Sequence, residues 1–261
     1  MERNARTPSS IADLSGATRA RLAASRVFFA HQSVGQNIVE GVTALQHDGQ
    51  PLGLRIVDAT AGMPPEGPFF AHARLGKNGD PRSKTDQFIA ALESGDRVDI
   101  AFQKYCYADI DATTDVDRVF DYYRAAVDRV HTRFPRVVLV HVTVPLMQVQ
   151  AGPKAEIKKL LGRMPDHYAD NIARERFNSR MRQTFGSREP LFDLAAIESS
   201  RPGEAPRPIH FRGQTLFALL PESTSDGGHL NEGMQKRVAT ELLLMLGRLT
   251  ESASATAPEA R

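Results

Sequence analysis

The chain has 261 residues, 33 Lys plus Arg against 31 Asp plus Glu, and a formal net charge of +2. Its basic residues are interspersed with acidic ones, which argues against a phosphate-tracking surface and so against nucleic acid as a partner. The single cysteine excludes an internal disulfide, and no apolar run reaches the ~18–20 residues needed to span a bilayer.

A composition that is 41% hydrophobic suits one globular core, and the length suits a single α/β domain over residues 1–250. The first residues, Met-Glu-Arg-Asn-Ala-Arg-Thr-Pro-Ser-Ser, carry no apolar stretch after their charges. The chain as written is therefore expected in the cytoplasm, with secretion or a periplasmic location left open should a leader have been removed.

Ser10–Ala24 reads as a leading helix and Arg26–His31 as a first strand, apolar at consecutive positions as a strand buried on both faces should be. Val34–Leu45 continues as a helix with Ile38, Val42 and Leu45 at helical spacing. Leu54–Ala59 reads as the second strand, and Gly62–Pro68, rich in Pro and Gly, as loop. Ser83–Leu92 is predicted helical and Val98–Phe102 a third buried strand. Asp115–Arg133 forms a long helix with Val116, Phe120, Tyr123, Val127 and Val130 in one stripe. Arg136–Val144 is the strongest strand signal, closed by Pro145.

Residues 146–190 read as a helical, charged insertion, a candidate lid or substrate-selecting wall, before a last strand at Leu191–Leu194. Ser199–Gly213, with three prolines, is expected to be irregular, Asn231–Leu246 a final amphipathic helix, and 251–261 a disordered tail. Alternating strands and helices predict a three-layer α/β/α sandwich around a five-stranded parallel sheet.

In such a sheet ligands bind beyond the carboxyl ends of the strands. Ser33, in Val27-Phe28-Phe29-Ala30-His31-Gln32-Ser33-Val34-Gly35, follows the first strand and opens the next helix, so its N–H groups are placed to hold an oxyanion. A serine needs a base, and the base needs an orienting group. Asp226 and His229, three residues apart around Gly227 and Gly228, supply both. Each also has a plainer reading: Ser33 as a helix N-cap, Asp226 as a turn cap, His229 as a surface residue. Two ligands within four residues and no third make a metal site unexpected, and no cofactor is required.

The order of these residues resembles that of the SGNH or GDSL hydrolase superfamily, with its serine block after the first strand and its Asp-x-x-His block before the last helix. His-Gln-Ser-Val-Gly stands where that family has Gly-Asp-Ser-Leu, and Asp226-Gly227-Gly228-His229 fits Asp-x-x-His throughout. The resemblance implies a Ser33–His229–Asp226 triad hydrolysing carboxylic esters, acetyl esters of carbohydrates among them, through an acyl-serine intermediate. It implies an oxyanion hole from Ser33 and a glycine of Gly76-Lys77-Asn78-Gly79, with Gly79 assigned, Gly76 as fallback and Asn78 as a side-chain donor.

The family's Gly-x-Asn-Asp block is replaced by Gln103-Lys104-Tyr105-Cys106-Tyr107-Ala108-Asp109, so Lys104, Tyr105 or Tyr107 is expected to fill the missing donor role or to line the substrate site with His31. Cys106 is a competing thiol nucleophile or a packing residue. The reading of another class is a non-catalytic ligand- or glycan-binding domain that kept the fold and lost turnover with that block.

Overall fold

The computed structural model describes residues 9–47, 51–64, 66–95 and 98–256. Six parallel strands form one sheet: β1 (Arg26–His31), β2 (Ile56–Asp58), β3 (Phe69–Arg74), β4 (Ile100–Gln103), β5 (Val138–Val142) and β6 (Leu191–Phe192), in the order β2-β3-β1-β4-β5-β6. The α/β class is as expected, but the sheet has six strands and not five. The additional one is β3, which inserts between β1 and the edge strand β2. Its Phe69-Phe70-Ala71-His72-Ala73 run is buried at every position, yet alanines and a histidine directly after a Pro-rich loop give a weak strand signal.

The helices are α1 (Gly16–Ala23), α2 (Val34–His47), α3 (Pro81–Ser94), α4 (Val116–Arg133), α5 (Pro153–Leu160), α6 (Tyr168–Phe185), α7 (Leu194–Glu198) and α8 (Glu232–Thr256). One core cluster joins β1 residues Val27 and Phe29 to α1, α2, α7 and α8, through Leu22, Ile38, Val42, Leu194, Val238 and Leu242. The other joins Phe28 and Ala30 of the same strand to α3, α4 and α6, through Phe88, Phe120, Val127 and Phe177. Consecutive β1 residues thus feed opposite cores, as the two-residue period of a strand requires. No helix among the described residues is long and apolar enough to cross a membrane.

Two further expectations differ. The stretch expected to be irregular ends in an antiparallel hairpin, β7 (Ile209–Phe211) with β8 (Gln214–Leu216), turned by Arg212 and Gly213, both at positive φ. The final helix continues to Thr256, so the first part of the expected tail is helical, and 257–261 lie outside the described residues.

α2 and α8 pack so closely that a Cβ on Gly41 would stand 2.3 Å from the Gln235 carbonyl oxygen. Gly41→Ala is therefore expected to lower stability by about 1–3 kcal/mol, read as the urea midpoint.

Candidate active site

Strand order reverses at β1: the chain passes to β2 and β3 on one side and to β4, β5 and β6 on the other. The crevice at such a reversal is the usual ligand position of an open parallel sheet, and Ser33 stands at its carboxyl end. Its φ of 50° puts a non-glycine residue in the left-handed region, a cost of order 1–3 kcal/mol that recurs at functional positions. No N–H of the helix's first turn donates to the Ser33 hydroxyl among the described residues, which leaves the N-cap reading without its bond. Instead Ser33 Oγ lies 2.7 Å from His229 Nε2.

His229 Nδ1 lies 2.6 Å from Asp226 Oδ2. The other carboxylate oxygen, Oδ1, accepts the N–H of His229 at 2.8 Å and of Gly228 at 2.9 Å. These donors, the His229 N–H first, hold the Asp226 carboxyl well below the usual carboxylate range.

The turn has little freedom. Gly227 has φ of 88°, a conformation that suits glycine. A Cβ on Gly228 would lie 3.1 Å from the Tyr107 ring, which stands nearly perpendicular to the His229 ring at a centroid separation of 6.0 Å. Gly227 O accepts the Gln148 N–H at 2.8 Å, Asn37 Oδ1 accepts the Leu230 N–H at 3.1 Å, and Asn231 Oδ1 accepts the Met234 N–H at 3.1 Å at the start of α8.

The expected glycine of the oxyanion hole does not have a free amide. Gly79 N–H donates to Asp109 Oδ1 at 2.7 Å, and the fallback, Gly76, donates to Gln87 Oε1 at 2.8 Å. For Gly79 the reason is Asp109, which is 3% exposed and binds three donors at once: Gly79 N–H, Cys106 N–H at 2.6 Å and the buried Lys84 ammonium at 2.5 Å. Lys84 Nζ also donates to Asn78 Oδ1 at 2.9 Å, which leaves the Asn78 amide nitrogen without a partner among the described residues. The Ser33 N–H is in the same condition.

Three other expected site residues are drawn into the core. His31, 1% exposed, is 3.1 Å from His72 Nδ1 through its Nε2, and burial lowers its pKa to about 3, keeping it neutral. A Cβ on Gly35 would meet His31 Cβ at 2.3 Å, so that glycine is explained by packing and not by an open path to the serine. Tyr105, 3% exposed, bonds Thr85 Oγ1 at 2.7 Å and packs on Tyr123 and Phe177. Lys104, 1% exposed, turns its ammonium to the Tyr105 carbonyl and the Cys106 sulfur, and burial lowers its pKa. Of the four candidates for substrate contact on this edge, Tyr107 alone reaches the triad, and Arg174 fixes its carbonyl with bonds of 3.0 and 2.8 Å.

Cys106 is likewise buried, its thiol donating to Gln32 O at 3.4 Å, so it supports the serine turn from beneath and is not exposed to an incoming ester. Among the described residues no group of three or more His, Cys, Asp or Glu could hold a metal ion. A groove of about 560 Å³ between Arg26, Leu92, Val98, Arg133 and Arg136 lies at the opposite, amino edge of the sheet.

No family model matches the chain and no curated protein matches its sequence. Among solved structures, an acetyl esterase is similar at 11% identity over 88% of this chain and 98% of that one, with a TM-score of 0.48. An acetyl xylan esterase matches at 17% identity over 89% and 100%, TM-score 0.45. A member of the lipolytic protein G-D-S-L family from Veillonella parvula matches at 12% identity over 84% and 96%, TM-score 0.44. The structural neighbours include G-D-S-L-family lipolytic proteins and esterases. At these identities and scores the chemistry has to come from this chain's own residues.

Asn37, Lys84, Asp109 and Arg174 are the site-supporting residues that sequence reasoning did not find. Asn37 was within reach, four residues after the serine in the same motif. The other three act across distant parts of the chain and leave no local signal.

Proposed function

We propose that the protein is a serine hydrolase of carboxylic esters. The observation that carries this is the unbroken chain Ser33 Oγ–His229 Nε2–His229 Nδ1–Asp226 Oδ2, with contacts of 2.7 and 2.6 Å. His229 takes the Ser33 proton as Oγ attacks the ester carbonyl, and Asp226 stabilises the resulting imidazolium. Ser33 N–H and the Asn78 side-chain amide hold the oxyanion. As the tetrahedral intermediate collapses, the ester C–O bond breaks and His229 protonates the departing alkoxide. Water, deprotonated by His229, then attacks the acyl-serine and releases the acid.

The His229 and Asp226 side chains are 42% and 54% exposed, so the triad opens directly on the surface. That openness supports short acyl groups, which need no buried channel, and O-acetyl esters of carbohydrates are the substrate class that the motif resemblance adds.

A fluorophosphonate probe tests the reading. Ser33 is expected to carry the adduct, and the adduct is expected to disappear in His229→Ala. The engaged Gly79 amide favours the second reading, a ligand- or glycan-binding domain without turnover. That reading prevails if the intact protein neither labels nor hydrolyses an aryl acetate.

The buried Glu198 gives a separate test of the fold around the site. Its Oε2 accepts the Leu146 N–H at 2.6 Å, its Oε1 has no hydrogen-bond partner among the described residues, and burial raises its pKa from 4.5 to about 8. The folded protein keeps this proton where the unfolded chain has lost it. The resulting stability is complete below the ordinary carboxyl pKa and is lost as pH rises through about 8. Neutral His31 has the opposite trend at lower pH, so the comparison of proteins is the readout. Between pH 5 and 8, Glu198→Gln is expected to lose less thermal stability than the parent protein.

A further inference from the structure

We infer that α5 and the turn after it form a docking surface for anionic lipid. The large hydrophobic side chains standing exposed among the described residues are Ile157, Leu160, Leu161 and Met164, at 57%, 88%, 65% and 37%. All four fall within one short segment, whereas the hydrophobic residues of the other helices are turned inward. Lys154, Lys158, Lys159 and Arg163 are interleaved with them, against one acidic residue, Glu156, within residues 153–164 and Asp166 just beyond. Apolar side chains alternating with cations on one short helix are the signature of an element that lies in a lipid interface, its apolar part immersed and its cations on the headgroup phosphates.

Charge selects this occupant over an uncharged apolar partner. Lys154 and Arg163 have no ion-pair partner among the described residues, while the ion pairs of Lys158 and Lys159 are with the surface carboxylates of Asp166 and Glu156. Such exposed pairs are weak and exchange readily for phosphate.

The segment is firmly mounted. Arg212, at the tip of the β7–β8 hairpin, donates to Gly162 O at 2.5 Å, Gln150 N–H donates to Asp166 O at 3.2 Å, and Lys159 lies over the Tyr168 ring. Its apolar residues therefore cannot turn inward without undoing those contacts. The insertion leaves the carboxyl edge of β5, the edge at which Ser33 stands, and Gln148 ties its first residues to Gly227. Docking accordingly occurs on a part of the molecule joined directly to the triad turn.

The test is sedimentation of the full chain carrying Ser33→Ala, so that the result is independent of ester hydrolysis, with vesicles of phosphatidylcholine or of equal parts phosphatidylcholine and phosphatidylglycerol. Binding is expected to the mixed vesicles, to weaken with added salt, and to fall roughly fivefold for each of Lys154 and Arg163 replaced by glutamine. Adding Leu160→Ser and Leu161→Ser is expected to weaken it by about tenfold or more. Both leucines are exposed, so the variant is expected to melt as its parent does. Absence of binding to the mixed vesicles, or binding unchanged by the two serine substitutions, overturns the inference. A concentration-dependent dimer abolished by those substitutions overturns it too, and assigns the face to a second copy of the chain.

Discussion

Replacing Ser33 or His229 by alanine is expected to lower kcat on an aryl acetate by about 10⁴–10⁶-fold, and the double variant is expected to lose no more than the worse single one. The residues act as a unit: without Ser33 no acyl intermediate forms, and without His229 the Ser33 proton has no acceptor. Asp226→Asn is the informative partner. An amide at that position still offers an oxygen to the N–H groups of Gly228 and His229, which Asp226 Oδ1 now holds at 2.9 and 2.8 Å, so the turn should fold. Its NH₂ end would face His229 Nδ1 and favour the tautomer with the proton on Nε2, where Ser33 needs an acceptor. A fall in kcat of about 10³–10⁴-fold with KM little changed is the expected kinetic result. Full activity in Asp226→Asn would show that the imidazole is oriented by something else. Because backbone N–H donors keep the Asp226 carboxyl ionised far into acid, loss of activity at moderately low pH is not expected to come from Asp226.

Asp109→Ala is expected to destabilise the protein by about 3–5 kcal/mol, measured by urea unfolding. It would strand the Lys84 ammonium in a site where both side chains are at most 4% exposed. It would also remove the acceptor of the Gly79 and Cys106 N–H groups. The charge explanation has its own control. Lys84→Met combined with Asp109→Leu removes both ions and should cost less than Asp109→Ala alone, since desolvation of a buried pair offsets much of its attraction. If the double variant is the less stable, the backbone N–H donors left without an acceptor, and not the ammonium, dominate. The single change should lower activity as well, because Lys84 holds Asn78 Oδ1 at 2.9 Å and so orients the amide proposed for the oxyanion.

Much of this architecture was legible in the chain. The stripe from Val116 to Val130 defined α4 because one buried face of a helix repeats with the helical period, and Arg136–Val144 defined β5 because a strand covered on both faces is apolar without alternation. β3 was missed because Ala71, His72 and Ala73 owe their burial to the strands on either side and not to their own composition. Tyr105 and Lys104 were misplaced for a related reason. They follow a strand at the correct edge, but Tyr105 turns toward Thr85, Tyr123 and Phe177, none of which is a neighbour in sequence, and Lys104 turns inward to the Tyr105 carbonyl and the Cys106 sulfur.

The sequence by itself determined the chemistry on offer: a serine at a strand-to-helix junction, an Asp and a His three residues apart on a glycine turn, and a strand–helix rhythm that brings carboxyl-end loops to one edge. Those features are local, set by short-range periodicity and turn propensity. Only the tertiary structure decided which groups are available. It bonded Ser33 to His229 across the length of the chain and engaged the Gly79 amide with Asp109. It also buried His31 against His72 and left four large apolar side chains of the 157–164 segment uncovered. Each of these outcomes depends on partners brought together by packing, and a buried donor takes whichever acceptor the fold places beside it.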